Sequence, residues 1–300
     1  MAIAYLIRSL MEDFTTCNWC PAPGTAFDAL EKRKVRCHLR SLSHLDFHVW
    51  RCANCLSLHS LEPVDLDFFY SRYPFRAQKL DLGTRVVYAN RLALLKVRAG
   101  LKSEHSILDF GCGQGLFVSF LKGRGFRNVV GFDPYVKENC DVRLLSRQYD
   151  FVIAQDVLEH VPDPVDTLHT LCKSLKAGGV MVVGTPNAEG IDLRQALKYA
   201  NELHQPFHRH IPSKRALLQN LERFGFSSIR SYERYYFDTT IPGVNTRFIN
   251  EYTLASGAFA EALVEAPNWQ LLLSKPKLAF YAWAGYWLPG KANMMIFCRR

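Results

Sequence analysis

The feature that most constrains the fold is the stretch 106–115, which reads SILDFGCGQG. Its first half predicts a short buried strand, its glycine-rich second half predicts a tight turn, and residues 116–122 predict the helix that follows. Glycines in such a turn let backbone N–H groups approach a ligand with no Cβ in the way. A strand, a glycine turn and a helix in this order are typical of a ligand site at the carboxyl edge of a parallel sheet.

The spacing of these glycines argues against a dinucleotide fingerprint, which requires G-x-G-x-x-G or a final alanine. The sixth position is Leu116 when counted from Gly111, and Val118 when counted from Gly113. An acid, Asp109, instead ends the strand and alternating glycines follow it. This pattern resembles the first motif of class I S-adenosylmethionine-dependent methyltransferases. The resemblance implies that Asp109 receives the ammonium group of the cofactor and that the glycine backbone passes under it; a ligand-free packing turn is the alternative.

A second acid, Asp133, ends the next predicted strand, 128–133. An acid about 20 residues past such a turn accepts hydrogen bonds from ribose hydroxyls, which any adenosine ligand requires. The segment between Asp133 and Asp150 is short, so we expect a vestigial helix there and a short third strand near 140–143. By resemblance to the family, Asp141 meets the adenine amino group.

The fourth predicted strand, 149–156, is followed by VLEHVPDP at 157–164, which closely matches the signature of the family. The resemblance implies that Gln155, Asp156 and the following turn flank the methionine part of the cofactor. His160 has either a cofactor-side role or the role of holding the turn. The predicted cofactor-binding residues are Asp109, Phe110, Gly111, Cys112, Gly113, Gln114, Gly115, Phe132, Asp133, Pro134, Asp141, Gln155, Asp156 and Val157.

A histidine-containing segment, QPFHRHIPS at 205–213, follows the fifth predicted strand and resembles a segment that lies near the substrate in some family members. A general base accelerates transfer to a hydroxyl or an acidic carbon by ~10²–10⁴, and the pKa of an ordinary histidine lies near working pH. The candidate catalytic residues are therefore His208, His210 and His160. The alternative is that both histidines of this segment hold the loop.

Two C-x-x-C pairs near the amino terminus predict a tetrahedral zinc site. The predicted ligands are Cys17, Cys20, Cys52 and Cys55. Four protein ligands leave no open position, so we expect the zinc of this ribbon to be structural; coincidental thiols are the alternative. The basic run 32–36 between the pairs is either a nucleic-acid patch or, as we favour, a solvated loop, because no interleaved aromatic residues accompany it.

The chain has 300 residues, nine cysteines and a net charge of +9. Cysteines in C-x-x-C pairs favour a reducing cytoplasm over a disulfide framework. No apolar run reaches the ~20 residues of a membrane-spanning helix, and we interpret residues 1–11 as a frayed terminus or a packed helix, not a signal peptide. The charge permits anionic substrates, nucleic acid or a membrane surface without choosing among them.

Strands that alternate with helices predict an α/β fold with a parallel sheet and right-handed crossovers. The resemblance to the family implies a doubly wound, mostly parallel seven-stranded sheet, to which the C-x-x-C pairs add a small zinc ribbon. The predicted domains are the ribbon at 1–65, an aromatic linker and helix at 66–104, the methyltransferase domain at 105–237 plus 291–300, and a helical, aromatic insertion at 238–290. Tyr70 or Tyr73 of the linker either covers the pocket or fixes the ribbon. The aromatic stretch 278–288 either caps a hydrophobic substrate, contacts a membrane surface peripherally or, as we favour, packs on the main domain.

The resemblance implies transfer of the methyl group of S-adenosylmethionine to a small or medium organic acceptor, such as a sugar, a lipid or a secondary metabolite. The expected cofactors are S-adenosylmethionine and zinc, and the expected partner is a small molecule, with an apolar one as an option. Two alternatives stay open: a nucleic-acid-modifying methyltransferase that uses the ribbon, and a non-catalytic module that binds the cofactor. The acceptor atom and the oligomeric state are open.

Overall fold

The computed structural model describes residues 14–21 and 23–300. The strands are β1 (Glu31–Arg36), β2 (Asp46–Arg51), β3 (Leu58–Ser60), β4 (Ile107–Phe110), β5 (Val129–Phe132), β6 (Tyr149–Gln155), β7 (Leu175–Pro186), β8 (His210–Ile211), β9 (Ser228–Tyr232) and β10 (Asn293–Arg299). The α-helices are α1 (Leu66–Tyr70), α2 (Leu82–Ala99), α3 (Leu116–Gly123), α4 (Pro164–Lys173), α5 (Ala200–Leu203), α6 (Lys214–Arg223), α7 (Thr246–Ala255), α8 (Trp269–Ser274) and α9 (Pro276–Ala284).

The main sheet has the strand order β5-β4-β6-β7-β10-β9. Strands β5, β4, β6 and β7 run parallel, and β10 lies antiparallel between β7 and β9. The central strands are buried on both faces, as expected for a parallel sheet covered by helices on each side. The predicted α/β class and mostly parallel sheet are confirmed, and the carboxyl ends of four parallel strands meet at one edge.

The predicted third strand and the count of seven are wrong for the described residues, in which this sheet has six strands. The segment after β5 forms two 3₁₀ helices, Lys137–Asn139 and Val142–Ser146, where a strand was expected near 140–143. The physical reason is a loop that folds back early: the backbone N–H of Asp133 donates to the carbonyl of Asn139 at 2.9 Å. Too few residues remain before β6 to build a crossover and another strand.

The amino-terminal part forms a four-stranded antiparallel sheet of order β1-β2-β3-β8. Strand β8 comes from the loop between β7 and α6, and its His210 pairs with His59 of β3. The fully buried indole of Trp19 donates to the carbonyl of His210 at 3.1 Å. The sheet of the predicted ribbon is therefore completed by a strand from the second half of the chain, while the predicted domain boundaries remain predictions.

The predicted insertion contains α7, α8 and α9. Some of its apolar side chains are buried in the fold and others are exposed to solvent. Leu278 is buried against Tyr252, whereas Phe280, Trp283 and Trp287 are each more than half exposed. The predicted packing is thus partial, and contact with a hydrophobic substrate or a membrane surface stays a prediction. Across residues 14–21 and 23–300, no helix combines the length and the apolar character needed to span a bilayer; the interpretation of residues 1–11 concerns residues outside the described ones.

Candidate active site

The glycine turn joins β4 to α3, and every second residue of the turn is a glycine in the left-handed conformation. Gly111, Gly113 and Gly115 have φ angles of +75°, +52° and +71°. A Cβ at Gly111 would lie 2.3 Å from a methyl carbon of Val157, whereas a Cβ at Gly113 would meet no atom within 4 Å. Gly111 is therefore required by close packing, while Gly113 exposes bare backbone to open space in which a ligand can lie.

Asp133 ties this turn to the end of β5. One carboxylate oxygen accepts the backbone N–H of Gly113 at 2.9 Å, and the other accepts the N–H of Tyr135 at 2.9 Å. The side-chain amide of Asn139 donates to the carbonyl of Gly113 at 2.7 Å and closes the loop from the other side. A carboxylate has about four acceptor positions, so Asp133 keeps capacity for the ribose hydroxyls that the sequence predicts.

Asp109 is almost fully buried in β4 and lies opposite Gly131 of β5. Burial raises the pKa of its carboxyl, and repulsion from Asp133 adds to this, while the guanidinium of Arg91 opposes both. An Nη of Arg91 lies 3.4 Å from the carboxylate, and Arg91 stacks on the ring of Phe117 at 3.9 Å. The two predicted acids thus end adjacent parallel strands and influence one another electrostatically.

Sequence reasoning missed Arg91, although a signal was present. It occupies the apolar face of α2, four residues from both Val87 and Leu95, and is buried there. A buried arginine requires a charged or hydrogen-bonding partner. Its partner is the motif acid Asp109, so this acid is held by the helix that precedes the strand.

The end of β6 carries a second polar group at the same edge. The amide nitrogen of Gln155 donates to Asp156 at 2.9 Å, and the hydroxyl of Tyr235 donates to the same carboxylate oxygen. Asp156 has φ +57°, a conformation that aspartate tolerates better than most residues. Burial raises the pKa of Asp156 to about 7, while the buried Oε1 of Gln155 has no hydrogen-bond partner among the described residues.

Replacing Asp156 with asparagine should stabilise the protein at neutral and alkaline pH. The folded carboxyl keeps its proton up to about pH 7, whereas the unfolded one loses it near 3.9. Folding stability of the natural protein therefore falls as pH rises between these values, and asparagine lacks this titration. The difference between Asp156→Asn and the natural protein should grow from pH 5 to pH 8 by about 2–3 kcal/mol, measured by urea unfolding; a constant difference would contradict it.

Gly184 in β7 leaves the space that Gln155 occupies. A Cβ at this position would lie 2.0 Å from Oε1 of Gln155. We expect Gly184→Ala to displace that side chain, to cost about 1–3 kcal/mol of stability and to weaken S-adenosylhomocysteine binding. Calorimetry on the variant checks this, with Gly123→Ala as a control because a Cβ at Gly123 meets nothing within 4 Å; equal affinities would show that Gln155 does not line the pocket.

Two of the three candidate catalytic histidines lie together beyond β6. The rings of His160 and His208 are 4.6 Å apart in an edge-to-face arrangement, and the hydroxyl of Tyr70 lies 3.0 Å from Nδ1 of His160. Burial lowers the pKa of His160 to about 4 and the pKa of His208 well below its ordinary value. The expectation of histidines titrating near working pH is therefore corrected, because this site holds both rings neutral.

His210, the third candidate, lies elsewhere. Its Nδ1 is 3.2 Å from Nδ1 of His59, whose Nε2 lies 3.2 Å from the sulfur of Cys17. The geometry therefore connects His210 to the ribbon and not to His160 and His208. This arrangement fits the alternative stated for the segment, in which a histidine holds the structure together.

An aromatic wall stands beside the histidine pair. Tyr70 stacks on Tyr135, which follows β5, at 6.3 Å, and packs against Tyr73 and Phe207 at 5.4 and 5.0 Å. Tyr73 in turn packs against Phe207 at 4.8 Å. The tyrosines of the predicted linker thus lie at the carboxyl edge of the sheet and also contact the second half of the chain. This position is compatible with both sequence interpretations, in which a tyrosine covers the pocket or fixes the ribbon.

The four predicted zinc ligands converge, with their sulfur atoms all within 4.8 Å of one another. Three sulfur pairs, Cys17–Cys20, Cys17–Cys55 and Cys20–Cys52, are separated by 3.7, 3.6 and 3.6 Å. Zn–S bonds of about 2.3 Å in a tetrahedron require sulfur separations of roughly 3.8 Å. The donor set and its spacing therefore fit structural zinc.

The other predicted contacts lie at the periphery. Asp141 turns its carboxylate to Arg143, which donates two hydrogen bonds at 2.8 and 2.9 Å, so its role towards adenine remains a prediction. The basic residues Lys32, Arg33 and Lys34 are exposed on β1, the outer strand of the smaller sheet. The favoured interpretation as a solvated loop is therefore wrong, because these residues belong to a strand. Charges on an edge strand discourage pairing with other chains, so this position alone does not require nucleic acid.

Comparison with known proteins places this site in context. Residues 84–231 match a family described as a methyltransferase domain. The chain is 30% identical to the tRNA U34 carboxymethyltransferase of Colwellia psychrerythraea, over 41% of this chain and 45% of that protein. It is 29% identical to the ubiquinone biosynthesis O-methyltransferase of Salmonella arizonae, over 33% and 50%. The chain thus spans about half the length of the curated relatives it matches.

Solved structures show a more distant likeness. The plantazolicin methyltransferase BamL, solved with S-adenosylhomocysteine, aligns with a TM-score of 0.46 and 14% identity over 78% of this chain and 90% of its own. An S-adenosylmethionine-dependent methyltransferase from Archaeoglobus fulgidus aligns with a TM-score of 0.44 and 16% identity over 78% and 99%. The family match assigns residues 84–231 to a methyltransferase domain, which supports the expectation of an enzyme.

Proposed function

We propose, from the methyltransferase domain at residues 84–231, that the protein transfers the methyl group of S-adenosylmethionine to a small or medium organic acceptor. The observation that carries this proposal is the glycine turn, whose open backbone at Gly113 is tied to Asp133. Asp109 ends the neighbouring strand and is paired with Arg91. Two carboxylates thus lie on either side of bare backbone at the edge where parallel α/β sheets bind ligands.

The residues at this edge suit different parts of the cofactor. Asp133 would accept the ribose hydroxyls, Asp109 would attract the ammonium group, and Gln155 with Asp156 would form the far wall. When bound, S-adenosylmethionine supplies a sulfonium methyl group, which moves to the acceptor as its sulfur–carbon bond breaks, leaving S-adenosylhomocysteine and a proton for a base. The chain itself mainly positions the acceptor, a contribution worth up to roughly 7–11 kcal/mol.

The acceptor would lie between the cofactor and the aromatic wall of Tyr70, Tyr73 and Phe207. Aromatic side chains with hydroxyl tips favour an apolar or aromatic molecule with polar groups. His160 and Tyr70 lie within hydrogen-bonding distance of each other and would orient the reacting atom. A sugar, a lipid or a secondary metabolite fits this setting, and the free cysteines of the described residues fit a reducing cytoplasm.

The proposal is tested by incubating the protein with S-adenosylmethionine and a panel of phenols, catechols, sugars and lipid-linked acceptors. We expect equimolar S-adenosylhomocysteine and methylated product by mass spectrometry. Tyr70→Phe should lower kcat by at least about tenfold, whereas His169→Gln, an exposed histidine of α4, should not. Cofactor binding without turnover on the whole panel would instead support a non-catalytic binding module.

A nucleic-acid substrate is the second candidate, supported by the exposed basic run on β1 and by similarity to a relative named for tRNA. Binding through phosphate contacts would weaken steeply with salt. Fluorescence anisotropy with labelled tRNA from low to physiological salt separates the two candidates. Salt-sensitive binding that Lys32→Glu abolishes would favour nucleic acid, and its absence at low salt would exclude it.

A further inference from the structure

Three ligand-type side chains meet at the edge of the sheet, away from the four cysteines: Glu159, His160 and His208. One ligand atom from each lies within 4.8 Å of the others. We propose that this triad binds a divalent cation that holds the methyl acceptor. The inference rests on the proposed function for the cation's role, but cation binding itself is measurable without it.

Each member of the triad is oriented by a second partner. The hydroxyl of Thr185, at the end of β7, donates to one oxygen of Glu159 at 3.0 Å. Nδ1 of His208 donates to the backbone carbonyl of Glu202 at 2.6 Å, which leaves the lone pair of Nε2 for a ligand. Such outer hydrogen bonds, which fix the tautomer and direction of the ring, are characteristic of metal-binding histidines.

Tyr70 gives His160 the same kind of support. Its hydroxyl lies 3.0 Å from Nδ1 of His160, and the backbone of Phe207 forms a further hydrogen bond with this ring. Tyr70 belongs to α1, Thr185 to β7 and Glu202 to α5, so three separate elements orient the triad. A surface cluster formed by chance would lack this convergent support.

Glu159 provides a second, independent observation that favours a bound cation. It has no exposed surface, and its Oε1 has no hydrogen-bond partner in the described part of the chain. In the same residues, no lysine or arginine forms an ion pair with it. A buried carboxylate oxygen without a partner is costly, and a cation bound to this oxygen would remove that cost.

The donor set indicates the class of cation. Two imidazoles and one carboxylate suit Fe²⁺, Co²⁺ or Zn²⁺, whereas Mg²⁺ and Ca²⁺ prefer oxygen alone. Three protein ligands leave coordination positions open for a substrate. The acceptor class that fits is therefore a molecule with two adjacent oxygen donors, such as a catechol, an α-hydroxy acid or an α-hydroxyketone.

The position of the triad suits this role. Glu159 and His160 lie four and five residues after β6 ends, and Thr185 is the penultimate residue of β7, so the site shares the carboxyl edge with the glycine turn. Tyr70, Tyr73 and Phe207 border it with aromatic surface. A bound cation would lower the pKa of a coordinated acceptor hydroxyl, so that this hydroxyl could lose its proton to water before it attacks the methyl group.

The test uses the whole chain loaded with one equivalent of zinc, which the four soft thiolates bind in preference to the triad. This protein is then titrated with Co²⁺ and followed by visible absorption. Co²⁺ binds more weakly than zinc to a given site, so the thiolate site should stay occupied. We expect one Co²⁺ per chain, with d–d bands and no sulfur charge-transfer band. Glu159→Gln and His208→Gln should weaken binding at least about tenfold, while the exposed-histidine control His169→Gln should bind as the natural protein does.

Calorimetry with S-adenosylhomocysteine on the same variants separates the possible failures. Variants that keep cofactor affinity but lose Co²⁺ support the cation site, because folding is intact. Natural protein that binds S-adenosylhomocysteine but no Co²⁺, or variants that retain full Co²⁺ affinity, would overturn it. Natural protein that binds Co²⁺ at the triad but no S-adenosylhomocysteine would overturn the proposed function and leave the cation site standing.

Discussion

Replacing Cys17 with serine is expected to remove bound zinc and to lower the melting temperature by at least about 10 °C. Cys17 is buried, and its sulfur contacts those of Cys20 and Cys55. The cluster fixes the loop that carries Trp19, whose indole is buried against β8. Losing the cluster would therefore release the smaller sheet and also uncover part of the apolar core that it shares with the main sheet.

Metal analysis by mass spectrometry and thermal unfolding by calorimetry measure this effect, with and without a chelator. Cys140→Ser is the matched control, because Cys140 is an exposed thiol far from the other four in sequence. The control should retain zinc and the natural melting temperature. If the natural protein carries no zinc and Cys17→Ser melts with it, the four thiols are not a metal site.

Replacing Asp133 with alanine is expected to weaken cofactor binding by at least about 100-fold. The carboxylate accepts two backbone N–H groups in the present structure and is proposed to accept two ribose hydroxyls. Hydrogen bonds to a charged group contribute about 1.5–3 kcal/mol each, and losing two of them to the ligand gives this factor. The loss of the Gly113 contact adds to it, because the turn is then less well ordered.

Calorimetry with S-adenosylhomocysteine provides the measurement, and circular dichroism verifies that the variant is folded. Asp46→Asn serves as the control, since Asp46 is an exposed aspartate at the start of β2 in the smaller sheet. Natural affinity in Asp133→Ala would mean that the ligand does not lie over the glycine turn. Weak binding in both variants would point to a general effect of removing negative charge.

The central strands and the glycine turn were predictable because their signals are local. Residues 106–115 determine their strand, turn and helix from neighbouring residues, and the apolar run of β6 does the same. Strand β10, from the segment 291–300 of the predicted methyltransferase domain, lies antiparallel to β7 and β9. The four cysteines were predictable because two short spacings suffice to bring them together.

Other features depend on contacts that no local pattern contains. Strand β8 has two residues and exists only because β3 offers it an edge. The triad joins Glu159 and His160 to His208, which lies about fifty positions later, and its supports come from Tyr70 and Thr185. The third strand is a feature that was predicted and is not formed. The family resemblance predicted it, but the short segment after β5 forms two 3₁₀ helices instead.

Burial changed the chemistry assigned to the histidines. From sequence, a histidine has a pKa near neutrality, but burial lowers the pKa of His160 to about 4. Conversely, burial raises the pKa of Asp156 to about 7. The group that titrates near working pH at this edge is therefore a carboxyl, a reversal that depends on tertiary packing.

The most direct test of the central claim is calorimetry of S-adenosylhomocysteine with the natural full-length protein at low ionic strength. One molecule should bind per chain, and binding should compete with S-adenosylmethionine but not with NAD, since the glycine spacing lacks the dinucleotide fingerprint. No heat of binding, or displacement by NAD, would contradict the account that Asp109 and Asp133 hold an adenosyl sulfonium cofactor above the glycine turn.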